Sequence, residues 1–429
     1  MTTVMSEKRL IRAVGLKSVI ALTINGIIGA GIFALPATAG KILGIASPIA
    51  FILAGFFACL IVLCFAELGS RYDRTGGAYL YAHEAFGGVF AFLVGWMYFL
   101  ARISSVAALS NAMVDFATYF GTIQTPLRVT LILLTFLFLG GANYIGIKFS
   151  SRAINVLTAG KLIPLFLLIG AGLFFVDWQT FSGITFPPVK PLFETLLLAM
   201  FVFSGFEIVA VPGGEIVNPQ KNVPHGLLIG TIFTIIIYFL IQVVVVATHP
   251  DLNNARSPLA EAAAQFLGPW GGNLISAGAI FSTLGCMLLL VLAAPRILYA
   301  MSLQEQMPVL LQKIHPRFRT PHVSIVLITV LAALVAVSGK FRELATLSAM
   351  ARLVTYVGAA LALLKLRRKN PSPESFHVPG GPAVPLLTIL LSLLLLTAAT
   401  PAQWRTGLIA LAVGILLYIL SVYRWRTRT

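Results

Sequence analysis

The feature that most constrains this chain is a series of apolar segments, each of about 20 residues, that recurs along almost its whole length. A helix of that length and hydrophobicity can cross the hydrocarbon core of a bilayer. The loops between the segments are short, so the sequence predicts an all-α integral membrane protein with twelve transmembrane helices in a single domain, residues 1–429. The predicted spans are residues 18–37, 47–69, 88–117, 128–147, 153–176, 192–213, 225–248, 272–301, 322–338, 342–364, 381–400 and 405–423.

Composition excludes a soluble domain of this size. Hydrophobic residues make up 58% of the chain and charged residues only 10%, so a soluble fold would expose far too much apolar surface. The formal charge of +16 would suggest nucleic-acid binding in a soluble protein, but here the basic residues lie mostly in loops, and no nucleic-acid partner is predicted. The three cysteines, Cys59, Cys64 and Cys286, fall in apolar segments and are interpreted as packing residues.

The basic residues also predict the orientation in the membrane. With both termini on one side, the loops of that side hold 19 Lys and Arg residues and the opposite loops hold 7. Basic residues concentrate in cytoplasmic loops, so both termini are expected in the cytoplasm and the protein in the cell membrane. Basic residues before the first span are also typical of signal peptides, but that span leads directly into the next, which indicates a retained helix.

The first span contains an unusual stretch, GIIGAGIFALP, at residues 26–36. Each of its three glycines costs a helix about 1 kcal/mol relative to alanine. They would let the helix unwind at membrane depth and expose amide groups that can bind an anion, which is tolerated only where the chain lines a cavity or is buried in protein. The alternative is a small-residue face for close helix packing.

The sixth span repeats this peculiarity, since residues 196–214 read LLLAMFVFSGFEIVAVPGG. The two glycine-interrupted spans occupy the same position in two halves of five spans, residues 18–176 and 192–364. Because five is odd, the second half is inverted in the membrane. Interrupted helices in inverted halves are typical of secondary transporters that bind substrate between them. Helices 11 and 12, residues 381–423, lie outside this repeat.

Ordered motifs resemble the amino acid–polyamine–organocation (APC) transporter superfamily. They are GAGIF at 29–33, where Ala30 replaces the usual serine, AELGSRYDRTGGAYLYAHEAFG at 66–87, FSGFE at 203–207 with GEIVNPQKNVP at 214–224, and PRILYAM at 295–301. The resemblance implies a five-plus-five inverted-repeat fold of the LeuT/APC type and amino acid transport by alternating access.

The resemblance also implies a binding site. The substrate carboxylate would meet amides of the first interruption, and the amine would meet carbonyl oxygens of both interruptions. Phe201 falls where an arginine–agmatine exchanger of the superfamily carries a gating tryptophan, and its cytoplasmic-side gate corresponds to Tyr98, Glu207 and Tyr356. The residues expected to contact substrate are Ile27, Gly29, Ala30, Gly31, Phe201, Phe203, Ser204 and Gly205.

Charged residues inside spans are functional candidates because their burial is costly. Lys161 resembles a lysine that some sodium-independent members place where sodium-coupled relatives hold an ion. A buried amine can release its proton, so this residue suggests coupling to protons; the alternative is a lysine that reaches to the membrane surface. Glu207 is interpreted as a gate or proton site, or as a structural acid bonded to amides that the break frees.

Arg102 lies one helical turn after Tyr98, where the exchanger has an uncharged residue. It needs a carboxylate partner at this depth, and Glu207 is the candidate by family geometry. Such a pair would leave no free carboxylate for a cationic substrate, which favours neutral substrates; the alternative is that Arg102 binds an acidic substrate. Arg296 and Arg352 are expected to be structural or interfacial. Gate ion pairs, or ordinary solvated loop charges, are expected among Glu67, Arg71, Glu215 and Lys221.

Two other classes of function are less consistent with the sequence. An enzyme would need a catalytic cluster, and the chain has neither a nucleophile–His arrangement nor a metal-ligand cluster, so no cofactor or metal is predicted. An ion channel would not need two interrupted helices. The sequence therefore favours a sodium-independent secondary transporter of neutral L-amino acids coupled to protons. Exchange of amino acids and transport of cationic amino acids or polyamines are the alternatives, and the oligomeric state is open.

Overall fold

The computed structural model describes residues 14–72, 76–209, 216–249, 251–252, 255, 257–369, 372 and 374–426, and the side chains of these residues except 147–159 and 422–426. This part of the chain is all-α, and its only β pairing is a single bridge between Val14 and Ile216. The α-helices are α1 (Leu16–Ile27), α2 (Gly31–Leu43), α3 (Ser47–Arg71), α4 (Ala78–Phe86), α5 (Gly88–Ala117), α6 (Thr125–Ile145), α7 (Ile147–Gly172), α8 (Val189–Val202), α9 (Pro219–Thr248), α10 (Pro258–Leu303), α11 (His322–Ser338), α12 (Phe341–Lys369), α13 (Ala383–Leu396) and α14 (Pro401–Arg426).

Local sequence explains where several helices begin. Proline stands in the first turn of α3, α6, α9 and α10, where its missing N–H would have no partner in any case. Within the described residues, eight helical segments are long and apolar enough to cross a bilayer, and four shorter apolar helices accompany them, namely Leu16–Ile27, Gly160–Gly172, His322–Ser338 and Ala383–Leu396. Each predicted span coincides with one or more of these segments, and the chain is a multi-pass membrane protein.

Two elements differ from the sequence expectation. Helix α4 forms within residues 70–87, which the predicted spans leave as a loop, and Gly87 (φ +70°) separates it from α5. Helix α10 begins at Pro258, well before the predicted span at 272–301. Gly268 (φ +69°) breaks its helical geometry, so α10 is two helices joined at a kink. A glycine in the left-handed region ends a helix without steric cost, which explains both positions.

The two short helices of the first span and helix α8 lie at the centre of the molecule. Helix α1 packs on α9, α2 packs on α8, and α3, α5, α10 and α12 pack around them. The periphery is formed by α6, α11, α13 and α14, which expose large apolar side chains; Leu137 of α6, for example, is 72% exposed. In a multi-pass membrane protein this apolar surface faces lipid.

Candidate functional site

The first interruption separates α1 from α2. Helix α1 ends at Ile27, Ile28 is extended (φ −73°, ψ 90°), and α2 begins at Gly31. No acceptor in the described part of the chain receives the amide hydrogens of the four residues 29–32, although all four residues are buried. Free amides at a helix N-terminus carry partial positive charge, so this segment can bind an anion.

The second interruption follows α8, which ends at Val202. Gly205 has φ +115°, a value that favours glycine, and a 3₁₀ turn covers Phe206–Ile208. The Gly205 amide donates to the carboxylate of Glu207, with an N···Oε2 distance of 2.8 Å. A side-chain oxygen therefore replaces the carbonyl acceptor that an unbroken helix would have supplied, as one of the two interpretations of Glu207 expects.

The two interruptions touch through their main chains. A Cβ atom on Gly205 would lie 2.1 Å from the Gly26 carbonyl oxygen, and a Cβ atom on Gly26 would lie 2.7 Å from the Gly205 oxygen. Gly29 and Gly31 are equally constrained, because their Cβ atoms would lie 2.9 Å from the sulfur of Cys286 and from a methyl carbon of Val202, respectively. The glycines thus permit both the break and the close packing that the sequence left as alternatives.

A cavity of about 20 Å³ lies between the interruptions and helices α5, α10 and α12. This volume holds about one water molecule and is too small for an amino acid. Its lining residues are Gly26, Ile27, Gly29, Gly31, Ser105, Leu109, Phe201, Val202, Ser204, Gly205, Cys286, Leu290 and Arg352.

Most of the residues predicted to contact substrate line this cavity. Two do not. Ala30 contributes one of the free amides, whereas the Phe203 ring packs against the rings of Phe51 and Tyr238, at centroid distances of 6.4 and 5.1 Å. Phe201 lines the cavity and meets Phe341 edge to face at 5.9 Å. The side chain of Phe203 therefore belongs to the packing behind the break, and its main-chain carbonyl is the part that remains available.

Lys161 is fully buried in α7, so the alternative that it reaches to the membrane surface is wrong. Its ammonium donates to the main-chain carbonyl of Asn25 (3.1 Å), to that residue's side-chain oxygen, and to the carbonyl of Ile28 (2.5 Å). An ammonium has three hydrogens to donate, and these acceptors use all of them. Lys161 thus holds α7 against the first interruption.

Hydroxyl groups satisfy other carbonyls of the interruptions. Tyr238 of α9 donates to the Ile27 oxygen at 2.9 Å and lies 3.4 Å from the Val202 oxygen, so one hydroxyl contacts both breaks. Ser282 of α10 donates to the Gly29 oxygen at 3.3 Å. Neither residue was predicted, because a tyrosine or serine within an apolar span carries no sequence signal that separates it from ordinary packing.

Glu207 accepts ion pairs from two arginines. Arg352 of α12 contacts Oε1 directly, and Arg102 of α5 lies 3.4 Å from the same oxygen. The predicted pairing of Arg102 with Glu207 is confirmed, but Arg352 is the closer partner. Arg352 is 2% exposed and lines the cavity, so it is not an interfacial residue. Arg296, by contrast, is half-buried and donates to the Leu292 carbonyl of its own helix.

Hydroxyl groups orient Arg352. Its Nη2 donates to Ser105 (2.7 Å) and its Nε to Ser348 (3.3 Å), and these two hydroxyls lie 2.7 Å apart. Two other nitrogens in the cluster, Nε and Nη1 of Arg102, are buried and have no hydrogen-bond partner in the described part of the chain. The cluster of Arg102, Glu207 and Arg352 therefore has two guanidinium groups for one carboxylate.

The two tyrosines predicted as a gate lie beside this cluster. Arg102 donates to the Tyr98 hydroxyl, and the Tyr356 hydroxyl lies 3.4 Å from Oε2 of Glu207. Both side chains are buried, and Phe206 stacks on Tyr356 with ring centroids 5.8 Å apart. All five coupling or gating candidates are thus placed next to an interruption, with Lys161 on the side of the first and the other four on the side of the second.

A second buried carboxylate lies at the ends of α3 and α12. Glu67 pairs with Arg71 (2.7 Å), which fits the ion-pair alternative for these two residues, and also accepts from Arg367 (2.9 Å) and the Val378 amide (2.9 Å). Glu215, the other predicted acidic partner, lies outside the described residues, and the exposed Lys221 has no ion-pair partner within them. No group of three or more potential metal ligands occurs among the described residues.

The comparisons with known proteins identify the family. A sequence profile described as amino acid permease matches residues 14–422. The chain belongs to the amino acid permease family. This match confirms the resemblance to APC transporters noted in the sequence. The family name describes the chain as an amino acid permease and does not specify which amino acid is carried.

Three relatives from Bacillus subtilis match the permease over nearly their full length. The methylthioribose transporter is 30% identical, over 96% of this chain and 94% of the relative. The branched-chain amino acid permease BcaP is 28% identical over the same shares. The serine/threonine exchanger SteT is 28% identical, over 94% of each chain. All three are transporters, which supports the expectation that the chain is not an enzyme.

Proposed function

We propose that this permease carries neutral L-amino acids across the cell membrane by alternating access, independently of sodium and coupled to protons. In this proposal the chain forms a twelve-helix, five-plus-five inverted repeat with both termini in the cytoplasm and needs no cofactor. Its partners are the amino acid, protons and the lipid bilayer. The observation that carries the proposal is that two interrupted helices meet at a cavity beside a glutamate already paired with two arginines.

Helix packing supports the inverted repeat. If the halves 18–176 and 192–364 are related by a two-fold axis, each contact between a helix of one half and a helix of the other should recur between the two helices that the axis generates. Helices α3, α5 and α6 each pack on their presumed equivalents α9, α10 and α11. The contact of α7 with α10 is matched by that of α12 with α5, and the contact of α7 with α9 by that of α12 with α3. This packing is consistent with the proposed domain division at 18–176, 192–364 and 381–423.

In the proposed binding mode, the substrate carboxylate accepts hydrogen bonds from amides of the first interruption, predicted as Ile27 to Gly31. Those of Gly29, Ala30 and Gly31 are free, whereas the Ile28 amide already donates to the Ile24 carbonyl. The amine donates to carbonyl oxygens of Ile27 and of the second interruption, Phe203 to Gly205. Phe201 covers the side of the site. Because the cavity holds only about 20 Å³, helices must move apart to admit substrate. The structure then corresponds to a contracted state of the cycle, which supports alternating access.

The charges around the cavity favour a neutral substrate over a cationic one. A lysine or arginine side chain needs a free carboxylate at this depth. Glu207 is the only acidic residue near the cavity in the described part of the chain, and Arg102 and Arg352 already pair with it. A relative named for branched-chain amino acids and another named for serine and threonine agree with this preference, whereas relatives named cationic amino acid transporters, 26–27% identical, do not.

Lys161 supports independence from sodium. Its ammonium occupies the position where three oxygens of Asn25 and Ile28 converge, and such oxygens are the ligands that hard cations prefer. If Lys161 releases its proton during the cycle, the first interruption loses its link to α7 and transport is driven by protons. If it stays charged, it is a fixed support and the protein exchanges substrates, as SteT does by name.

Uptake into proteoliposomes tests the proposal. Purified protein is reconstituted and offered labelled leucine, serine, glutamate and arginine, with and without sodium, an inward proton gradient and internal amino acid. We expect saturable, stereoselective uptake of neutral amino acids that needs no sodium and rises with the proton gradient. Dependence on internal amino acid instead would select the exchanger, and ion conductance would select a channel.

Lys161→Met keeps the length of the side chain and removes its charge. We expect uptake to fall at least about tenfold while the protein still folds, because the first interruption loses its three bonds to α7. Lys340→Met is the matched control, since Lys340 is exposed in a loop. Strict sodium dependence, or full uptake by Lys161→Met, would contradict the proposed coupling, and rapid arginine uptake would contradict the proposed substrate class.

A further inference from the structure

A groove distant from the cavity lies on the outer surface between α12 and α13. It has a volume of about 680 Å³ and is open to the surroundings. The residues that line it are Leu361, Leu364, Lys365, Arg368, Lys369, Pro382 and Leu386. Three of the seven are basic and none is acidic. The transport cycle proposed above uses none of them.

The three basic side chains gather at the end of α12. All three residues are exposed. Lys365 places its ammonium 4.5 Å from the centre of the Phe86 ring, and the ammonium of Lys369 donates to the Glu84 carbonyl at 3.2 Å. Each of these two contacts leaves the ammonium at the rim of the groove, with further N–H groups that can donate hydrogen bonds. Arg368 adds a guanidinium, which can bind two oxygens of a phosphate at once.

The walls below this rim are apolar. Leu361 and Leu364 lie one to two turns back along α12, and Leu386 lies one turn into α13 and is 54% exposed. Both helices run into the membrane from this end. A groove that is cationic at the surface and apolar below it matches a molecule with an anionic head and a hydrocarbon tail.

We propose that this groove binds an anionic phospholipid, with the phosphate among Lys365, Arg368 and Lys369 and one acyl chain along Leu361, Leu364 and Leu386. Charge complementarity selects an anionic lipid over a zwitterionic one. The first thirteen residues of the chain are a poor occupant, because they contain three basic residues and one acidic residue and would be repelled. A soluble phosphate would leave the apolar walls exposed.

The lipid would stabilise the contact between α12 and α13. Arg367, the neighbour of Arg368, pairs with Glu67 and donates to the Gly381 carbonyl at 2.6 Å, just before the Pro382 wall. A lipid in the groove would contact α12 through its phosphate and α13 through its acyl chain on Leu386, and these are the two segments that Arg367 already connects. Because the lipid binds the folded protein, the melting temperature is expected to rise with lipid concentration.

Thermal unfolding and native mass spectrometry of the purified full chain test the proposal. The protein is delipidated in detergent and titrated with phosphatidylglycerol, phosphatidylcholine or glycerol 3-phosphate. We expect phosphatidylglycerol to raise the melting temperature and to remain bound in the mass spectrum, while the other two do neither. Equal effects of phosphatidylcholine, or the full effect with glycerol 3-phosphate alone, would overturn the proposal.

The double variant Lys365→Gln/Arg368→Gln removes two of the three cations. Each basic residue near a membrane surface contributes a factor of about five in affinity, so phosphatidylglycerol should bind roughly 30-fold more weakly. The control is Lys313→Gln/Arg317→Gln, which removes two exposed basic residues of the loop between α10 and α11. Unchanged phosphatidylglycerol binding by the groove variant, or an equal loss in the control, would refute the site.

Discussion

The main chains of Gly26 and Gly205 contact each other in the candidate site, and a single added methyl group tests this contact. In Gly205→Ala the added carbon would lie 2.1 Å from the Gly26 oxygen, and the residue would have to keep φ +115°. We expect a loss of stability of at least about 2–3 kcal/mol, since overpacking and the left-handed conformation each cost about 1–2 kcal/mol. Equilibrium unfolding in mixed micelles measures it.

Gly141→Ala is the matched control for this change. Gly141 lies within α6, and a Cβ atom there meets nothing within 4 Å. Alanine is a better helix former than glycine, so this variant should be as stable as the parent or slightly more so. A Gly205→Ala protein that unfolds like the control would mean that the two main chains do not touch.

Cys286 provides a reporter for the cavity. Its thiol lies beside Gly29 at the proposed substrate position, whereas Cys64 contacts Thr388 on the far side of α3. In a Cys59→Ser/Cys64→Ser background, a membrane-permeant maleimide should label Cys286 only when the site opens. Leucine or serine at ten times its dissociation constant should slow labelling about tenfold, because about nine-tenths of the sites are then occupied.

Mass spectrometry of the intact protein measures this labelling, with arginine as the ligand that should not protect. A labelling rate that saturating neutral amino acid leaves unchanged would show that substrate binds elsewhere. Accelerated labelling with every ligand would show that ligand binding opens the cavity and leaves it unfilled. That outcome would also contradict the proposal that substrate binds at the first interruption.

At the level of single residues, the sequence identified positions better than partners. The glycine-rich stretch predicted the break, because glycines weaken a helix. Several of them in one apolar span are therefore expected only where the helix unwinds or packs closely against another. Charges at membrane depth were recognised for the same reason of cost. The choice of Arg352 over Arg102 as the closer partner of Glu207 was missed, since it depends on how α5 and α12 pack against α8.

Among the helices, Glu207 joins the second interruption to α5 and α12, and its removal should be more harmful than the removal of Arg352, because it leaves two buried guanidinium groups without a carboxylate. Arg352→Met leaves Glu207 with Arg102 as its ion-pair partner and with the hydrogen bonds from Gly205 and Tyr356, so we expect it to cost about 1.5–3 kcal/mol, whereas Glu207→Gln should cost about 3–5 kcal/mol. Glu207→Gln/Arg352→Met removes both charges and should cost clearly less than the two single changes added together. Unfolding in mixed micelles completes the double-mutant cycle.

The control pair for this cycle is Arg128 with Asp115. Their side chains lie 2.6 Å apart but are 31% and 43% exposed. Arg128→Met should therefore cost no more than about 1 kcal/mol. Additive effects of Glu207→Gln and Arg352→Met would mean that the two residues do not act as a pair, and the charges around the cavity would then no longer disfavour a cationic substrate.

The positions of the helices could be predicted from the length of the apolar runs, whereas the breaks in the helices could be predicted only in part. Apolar runs predicted twelve spans, and each of these coincides with one or more apolar helical segments of the described residues, because a membrane span needs about 20 predominantly apolar residues. The kink at Gly268 was missed, since a single glycine in a helical pattern is usually tolerated. Helix α4 was missed because its nine residues, Ala78–Phe86, follow paired glycines and a basic segment typical of a loop.

For the whole molecule, the distribution of basic residues predicts which ends of the helices face the cytoplasm. A phosphatase fused after Lys340, between α11 and α12, should be active, because that loop is expected outside the cell. The same enzyme fused after Lys369, at the end of α12, should be inactive. Fluorescent protein fusions at both sites should give the opposite pattern, and the reverse result would invert the proposed orientation and place the cationic groove on the outer leaflet.

The contact between Gly26 and Gly205 has a consequence for the evolution of this protein. When two side chains touch, a change in one can be compensated by a change in the other, and related sequences then record the contact as covariation. Here each new Cβ atom would meet main-chain atoms of the opposite segment, and no substitution can remove those. Both positions should stay glycine in every functional relative. Invariant positions do not covary, so methods that infer contacts from sequence variation should pass over this main-chain contact between the two interrupted helices.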